Sequence, residues 1–369
     1  MDIRIAYLID TLNIGGTEKQ LIKQIELLES MGYSQTVICL RSSEYLGKLK
    51  LPCTVHVINV SSLISYSGVK RLVWLVRFFR SLKIDVVQTY FIDSNIFGVL
   101  AAKIAGVKNI ISCRRDMGFW YTPRILAVMR ITNALTDRIL VNSNAIKENV
   151  HKFERVNLDK IDVIYNGINL EIFSKPTTPY ELKSSLGIPH NNFIVGIVAN
   201  LNRSVKRVDV FVEAAALMQK TKNTSYVIVG DGHLRLGLEQ QVEKMGIASK
   251  VFFVGFQDDI IPYLQIFNVG VLTSESEGFP NSILEYMAAG LPVVCIDSGG
   301  TAEIVKEGIN GFLLKSIDAS MVAKTLDKVF EDKELQKTIS KKNLEDIKKY
   351  SWDYTISKLD NYLRELVEK

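Results

Sequence analysis

Apolar residues in this chain come in short unbroken runs separated by stretches of helical spacing, and the alternation lays out most of a fold. Residues 3–9, 35–40, 85–89, 109–112 and 138–141 read as strands. Residues 18–30 have helical spacing that stops before Gly32, and residues 69–82 read as an amphipathic helix. Past residue 170 the periodicity weakens, and Pro176, Pro179 and Pro189 crowd together, which predicts a linker. The alternation then restarts, with strands at 193–199, 225–229, 251–254 and 269–272 and helices at 208–219, 234–245 and from about Asn281. Gly290 and Pro292 end that last helix before a further strand. Repeated βα units predict parallel sheets with helices on both faces. Two series with one break predict an α/β protein of two Rossmann-like domains facing a cleft. One domain covers residues 1–170 and the other 171–351, and a helical tail covers 352–369. Ligands of such sheets bind beyond the carboxyl ends of the strands.

A length of 369 residues exceeds one ordinary core and agrees with two domains. Hydrophobic residues make up 47% and charged ones 23%, the balance of a folded soluble protein. The net charge of +5 is mild and no base-reading motif accompanies it, so nucleic acid is not an expected partner. Cys39, Cys53, Cys113 and Cys295 are scattered, which argues against a zinc site and against a disulfide framework. The sequence opens on a strand rather than a signal-peptide pattern, and its apolar runs fall short of a membrane span. A cytoplasmic location is the expectation.

The stretch 273–295 carries the most chemistry. Strand 269–272 runs into an acidic loop with Gly278 and Pro280, which feeds the helix from Asn281. Glu277 lies in the loop, and Glu285 follows eight positions later in the helix. Such a loop presents backbone N–H groups and a positive helix end to an anion. A carboxylate close by can accept hydrogen bonds from two hydroxyls. Phosphates at the helix end and a ribose diol on Glu285 suit a nucleotide sugar, although Glu285 alone also reads as a first-turn helix acid. Arg203 and Lys206, three apart just past strand 193–199, can both reach one diphosphate, and they also read as a solvated loop pair. Asp258 and Asp259 read as helix-start residues, and no Asp-x-Asp pair sits at a strand end. A scheme with no metal and no cofactor fits, in which cationic side chains and oriented N–H groups stabilise a departing diphosphate.

Together these segments resemble the retaining glycosyltransferases of family four, which have the GT-B fold. The stretch 273–295 is similar to their Glu-x7-Glu motif, and Gly15-Gly16-Thr17-Glu18 to their glycine loop. Val141-Asn142-Ser143 and Tyr165-Asn166-Gly167-Ile168-Asn169 resemble the segments before their interdomain linker. Val198-Ala199-Asn200-Leu201 with Arg203 and Lys206 resembles their basic phosphate loop. Val229-Gly230-Asp231-Gly232, Val254-Gly255-Phe256 and Ile309-Asn310-Gly311-Phe312-Leu313 complete the order. The resemblance implies a retaining, metal-independent transferase. It would move a hexose or N-acetylhexosamine from a UDP- or GDP-sugar to a glycan or lipid-linked acceptor in cell-surface polysaccharide synthesis. It puts the nucleotide sugar on the second domain and the acceptor on the first, with the last helix crossing back to the first. It assigns Lys206 and Arg203 to the diphosphate, Glu277 to the neighbourhood of the transferred sugar and Glu285 to the ribose. The backbone of Gly278 and Phe279 would meet sugar hydroxyls, that of Asn281, Ser282 and Ile283 the phosphates, and that around Gly255 the base. Gly15 and Gly16 would form an anion or acceptor edge, or a tight turn only.

Two positions depart from the family pattern. Asn200 stands where the family usually has an Arg after the strand end. Ser112-Cys113-Arg114-Arg115-Asp116 stands where many relatives carry a His, and none of the four histidines takes that place. Same-face attack, with the leaving phosphate taking the acceptor proton, needs no protein base. Arg115 or Asp116 would then orient the acceptor or the transferred sugar, while an Arg-Arg-Asp run also reads as a salt-bridged surface. Residues 69–83 mix apolar and basic positions without an acid, and Arg114, Arg115, Arg124, Arg130 and Arg138 add charge to the same half. That bias suits peripheral contact with the inner face of the plasma membrane, and the helix itself also reads as a packing helix. Two other readings use the same features: a nucleotide-sugar epimerase, and a non-catalytic partner subunit of another glycosyltransferase.

Overall fold

The structure, a computed structural model, describes residues 3–63, 65–175, 178–218 and 223–368. Pro176, Gln219 and Lys369, placed by the sequence in the linker, at a helix end and at the end of the tail, lie outside the described residues. The chain divides into two compact units. One runs up to Gly167 and resumes at Asp353, and the other spans Ile168–Trp352.

In the first unit β1 (Arg4–Ile9), β2 (Ser34–Cys39), β3 (Thr54–Val57), β4 (Val86–Tyr90), β5 (Asn109–Arg114), β6 (Arg138–Val141) and β7 (Ile161–Val163) form a parallel sheet. Its order is β3-β2-β1-β4-β5-β6-β7, so the winding reverses between β1 and β4. Both faces are covered. Ile5, Tyr7 and Ile9 pack with Ile25 and Leu28 of helix Gly16–Ser30 and with Ile356, Leu359 and Leu363 of the C-terminal helix Trp352–Glu368. Ala6 and Leu8 pack on the other face with Leu75, Val76 and Phe79 of helix Tyr66–Ser81. This two-sided burial explains why β1 reads as an unbroken apolar run rather than an alternating one. Sequence patterning overlooked β3 and β7. The first is a half-exposed edge strand and the second has only three residues, so neither leaves an apolar run.

In the second unit β8 (Phe193–Val198), β9 (Thr224–Val229), β10 (Val251–Gly255), β11 (Val269–Leu272), β12 (Val293–Ile296) and β13 (Phe312–Leu314) form a parallel sheet of order β10-β9-β8-β11-β12-β13. Here the reversal lies between β8 and β11. The stretch expected as a linker carries a 3-10 turn, Glu171–Ser174, and a helix, Pro179–Ser185. Pro179 occupies the first helical position, where a missing N–H costs nothing, so this proline marks a helix start.

Candidate functional site

In open α/β sheets the strand-order reversal leaves a crevice at the carboxyl end, and the loops there are the ones available to hold a ligand. In the second unit these are the loops after β8 and β11. The sequence candidates Arg203, Lys206, Glu277 and Gly278 all lie on them.

The two loops are fastened to each other. Glu275 N–H donates to the Val205 carbonyl at 3.0 Å, and the Thr273 hydroxyl donates to the Lys206 carbonyl at 3.0 Å. Lys206 Nζ donates to Glu277 Oε1 at 2.6 Å, a partly buried ion pair that sequence reasoning did not foresee. The Glu277 carbonyl accepts from Gly300 N–H, which ties this loop to the one after β12. Arg203 is exposed on the rim. Asn200, at the position of the family's usual Arg, caps the turn instead: its Oδ1 accepts from Asn202 N–H at 2.9 Å.

The helix that follows, Asn281–Ala288, is set by Tyr286. Strands β8 and β11 pair only at Val195–Val269 and Gly196–Gly270, then splay. The fully buried Tyr286 hydroxyl fills the split, accepting from Val198 N–H at 2.7 Å and donating to the Val271 carbonyl at 3.2 Å. Gly270 has to lack a side chain, because the Tyr286 ring occupies the space a Cβ would take. Glu285, next in sequence, is half-buried in the second turn of this helix. That corrects its reading as a first-turn helix acid, since the dipole effect fades beyond the first turn. Asn281 and Ser282 are half-exposed at the helix start. Phe279 and Ile283 are buried, and the Phe279 ring meets Tyr350 edge-on at 5.5 Å, so both have only backbone to offer. Gly255 ends β10 with φ +73°, a left-handed conformation that favours glycine, and its carbonyl accepts from Gly230 N–H.

The first unit has a cavity of about 360 Å³ at its own reversal point, beyond β1, β4 and β5. Its wall includes Asp10, Arg41, Phe91, Arg115, Asp116 and Trp120. Phe91 holds φ +66° and ψ 174°, a region populated almost only by glycine, which costs about 1–3 kcal/mol and typically marks a functional neighbourhood. Burial pushes the Asp10 carboxyl above its ordinary range, although its Oδ1 accepts from Ser94 N–H at 2.7 Å.

The run 114–116, read also as a salt-bridged surface, separates into three different roles. Arg114 is buried against Glu154, with Nε and Nη2 donating to the two carboxylate oxygens at 2.9 Å each. It therefore contributes nothing to a basic surface, which corrects its place in the expected basic patch. Asp116 Oδ1 accepts from Gly118 N–H at 2.8 Å and from the Trp120 indole at 2.9 Å, so it shapes the turn and orients that ring. Arg115 lines the cavity. Its Nη1 donates to Asn166 Oδ1 at 3.2 Å, and that same oxygen accepts from Asn142 Nδ2 at 3.2 Å. The Gln20 amide clamps the Gly167 backbone at both ends, at 2.8 and 2.9 Å. The sequence motifs around Asn142 and Asn166 thus meet in space to seat Arg115. Gly15 has an ordinary extended backbone, φ −145°, and the Glu18 carboxylate lies where its Cβ would be. Glu18 also lines the cavity, so an anion at the glycine loop would meet a carboxylate. Asp10, Arg41 and Trp120 were missed by sequence reasoning, and only the position of Asp10 just past the first strand could have flagged any of them.

Comparisons with known proteins agree with this layout. The family described as Glycosyltransferase Family 4 matches residues 14–172, and that described as Glycosyl transferases group 1 matches residues 180–346. The UDP-Gal:alpha-D-GlcNAc-diphosphoundecaprenol alpha-1,3-galactosyltransferase of Escherichia coli is 29% identical over 338 residues, 87% of this chain and 86% of that enzyme. The N,N'-diacetylbacillosaminyl-diphospho-undecaprenol alpha-1,3-N-acetylgalactosaminyltransferase of Campylobacter jejuni is 25% identical, over 86% of this chain and 87% of that one. Among solved structures, Anabaena HepE in complex with UDP and glucose matches with a TM-score of 0.88 at 22% identity, covering 98% of this chain and all of that one. Likeness at that identity speaks for the fold, which is GT-B. With one family match on each half, the chain belongs to the group 1 glycosyltransferases of family four and is a transferase enzyme.

Proposed function

We propose that the protein is a retaining, metal-independent glycosyltransferase. It takes a hexose or N-acetylhexosamine from a UDP- or GDP-sugar to a lipid-linked or glycan acceptor in polysaccharide synthesis. The observation that carries this reading is the placement of Lys206 on Glu277 where the two reversal-point loops meet, just ahead of helix Asn281–Ala288. The diphosphate would take over the Lys206 ammonium and meet the N–H groups at that helix start. The charge that builds on it as the sugar–phosphate bond breaks is then met by groups already in place. Glu285 accepts from the ribose diol. The acceptor hydroxyl attacks from the leaving-group face, the new glycosidic bond forms there, and the hydroxyl proton passes to the departing phosphate oxygen. Glu277 keeps Lys206 in position rather than acting as nucleophile. The acceptor lies on the first unit, an assignment supported by its cavity and by relatives named for diphosphoundecaprenol-linked acceptors. No observation favours the epimerase or the partner-subunit reading.

The test is thermal stabilisation by UDP- and GDP-sugars with and without EDTA, followed by proton NMR of the product's anomeric centre. One nucleotide series should stabilise the protein by about 2.7 kcal/mol at one hundred times its dissociation constant, EDTA should change nothing, and Glu285→Ala should abolish the shift. Loss of activity in EDTA, or an inverted anomer, would overturn the corresponding half of the reading.

The same proposal includes peripheral contact with the cytoplasmic face of a membrane. No described helix is long and apolar enough to cross one. Helix Tyr66–Ser81 buries Leu75, Val76 and Phe79, which supports the packing reading, yet it exposes Tyr66, Val69 and Val73 beside Lys70, Arg71 and Arg77. Each exposed cation near anionic lipid contributes about 1 kcal/mol. Co-sedimentation with phosphatidylglycerol vesicles, but not with phosphatidylcholine vesicles, is the expected result. Equal partitioning to both would remove this contact.

A further inference from the structure

The cavity of the first unit contains a cation that the protein does not neutralise. Its other two guanidinium groups have carboxylates of their own, Arg41 with Asp93 and Arg114 with Glu154. Arg115 forms no ion pair among the described residues. Its Nη1 donates to Asn166, its guanidinium carbon sits 5.7 Å from the Tyr90 ring centre, and its Nε–H is buried without a hydrogen-bond partner. Two carboxylates of the wall are engaged elsewhere, Asp116 with Gly118 and Trp120 and Asp10 with Ser94, while Glu18 lines the wall beside Gly15. A buried N–H on a charged group that lacks an acceptor is a standing cost to the fold, and a ligand that supplies the acceptor removes it. A guanidinium offers paired N–H groups that match a carboxylate or a phosphate.

We propose that this cavity binds a monosaccharide bearing an anionic substituent, a phosphate or a carboxylate. Arg115 is the partner of the anion, and the Trp120 ring, its indole N–H fixed on Asp116, is the platform for the sugar face. The volume of about 360 Å³ suits one substituted sugar ring. A phosphate would come from the anomeric end of a lipid-linked acceptor, and a carboxylate from a uronic acid unit. The inference rests on the transferase reading for the reason a sugar enters, while the anion preference is measurable by itself.

Isothermal titration of the full chain with glucose 1-phosphate, glucuronic acid, methyl α-glucoside and inorganic phosphate tests it. The charged sugar that matches should bind at least about tenfold more tightly than methyl α-glucoside, the gain of one charge-assisted contact. Arg115→Gln should erase that preference. Arg115→Lys, which keeps the charge but loses the fork, should keep part of it. Lys206→Gln, which alters the other unit, should leave it intact. Preference for glucose 1-phosphate alone identifies the phosphate source, and preference for glucuronic acid alone the carboxylate source. A preference that survives both Arg115 changes, no preference in the unaltered protein, or no binding of any probe overturns the proposal. So does inorganic phosphate binding as tightly as glucose 1-phosphate. Failure of the transferase reading would look different: no nucleotide sugar would bind or turn over, with the anion preference untouched.

Discussion

Lys206→Ala should lower kcat for sugar transfer by about 10²–10³-fold, the loss typical when one preorganised group facing a developing charge is removed. The melting temperature should also fall modestly, because the Glu277 side chain, only 11% exposed, is left without its cation. The substitution also leaves the Glu277 carboxylate without its cation at the place where the diphosphate has to sit, so KM for the nucleotide sugar should rise as well. Lys206→Ala combined with Glu277→Ala should recover nucleotide binding without recovering kcat, because the repulsion is gone but the cation is still missing. Steady-state kinetics with the nucleotide sugar varied separates the two terms. A kcat within a few-fold of the unaltered enzyme would place the departing diphosphate elsewhere.

The strands of the buried sheets were legible in the sequence because a short apolar run bounded by Gly and Pro, repeated between helical stretches, is the mark of a strand covered on both faces. Strands β1, β6, β8 and β11 fall within a residue of where patterning puts them. Patterning also located the loops after β8 and β11, since their polar residues interrupt those runs at strand ends. What it did not convey was pairing. Lys206 and Glu277 are 71 positions apart, Arg114 and Glu154 are 40 apart, and nothing local in either segment names its partner. Three adjacent residues, Arg114, Arg115 and Asp116, look alike as a charged run but face a buried acid, a cavity and a turn. Their roles are fixed by the end of β5, where successive side chains leave opposite faces of the sheet and the chain then bends around Gly118. Asp10 and Trp120 carry no motif, and they reach the cavity only because β1 and β5 lie on either side of β4.

Glu154→Ala should destabilise the protein by about 3–5 kcal/mol, the usual result of leaving one member of a buried ion pair alone. The Glu154 and Arg114 side chains are 0% and 3% exposed. The carboxylate also accepts from Asn133 Nδ2 at 2.7 Å and from the Tyr121 hydroxyl at 2.7 Å. Truncation removes the acceptor for all of these and strands a guanidinium in the interior. The pH dependence follows from the carboxyl. Burial alone would raise its pKa, but the Arg114 guanidinium and the converging donors more than offset this and hold it below its ordinary value of 4.5. A depressed folded pKa means that the stabilisation is fully present above the ordinary value and fades as pH falls through the lower folded one. Urea denaturation of the two proteins should therefore differ most at neutral pH and converge in acid below about 4.5. Arg114→Met with Glu154→Leu should regain much of the loss, because matched apolar groups remove both desolvation costs. Glu154 is supplied by the π-helical turn Val150–Glu154 and holds both Arg114 and Tyr121, which bracket Arg115, Asp116 and Trp120 in the chain. The restored double variant should thus fold well yet bind a cavity ligand more weakly than the unaltered protein. Unchanged ligand affinity in that variant would show that the pair supports the fold of this unit without shaping its cavity.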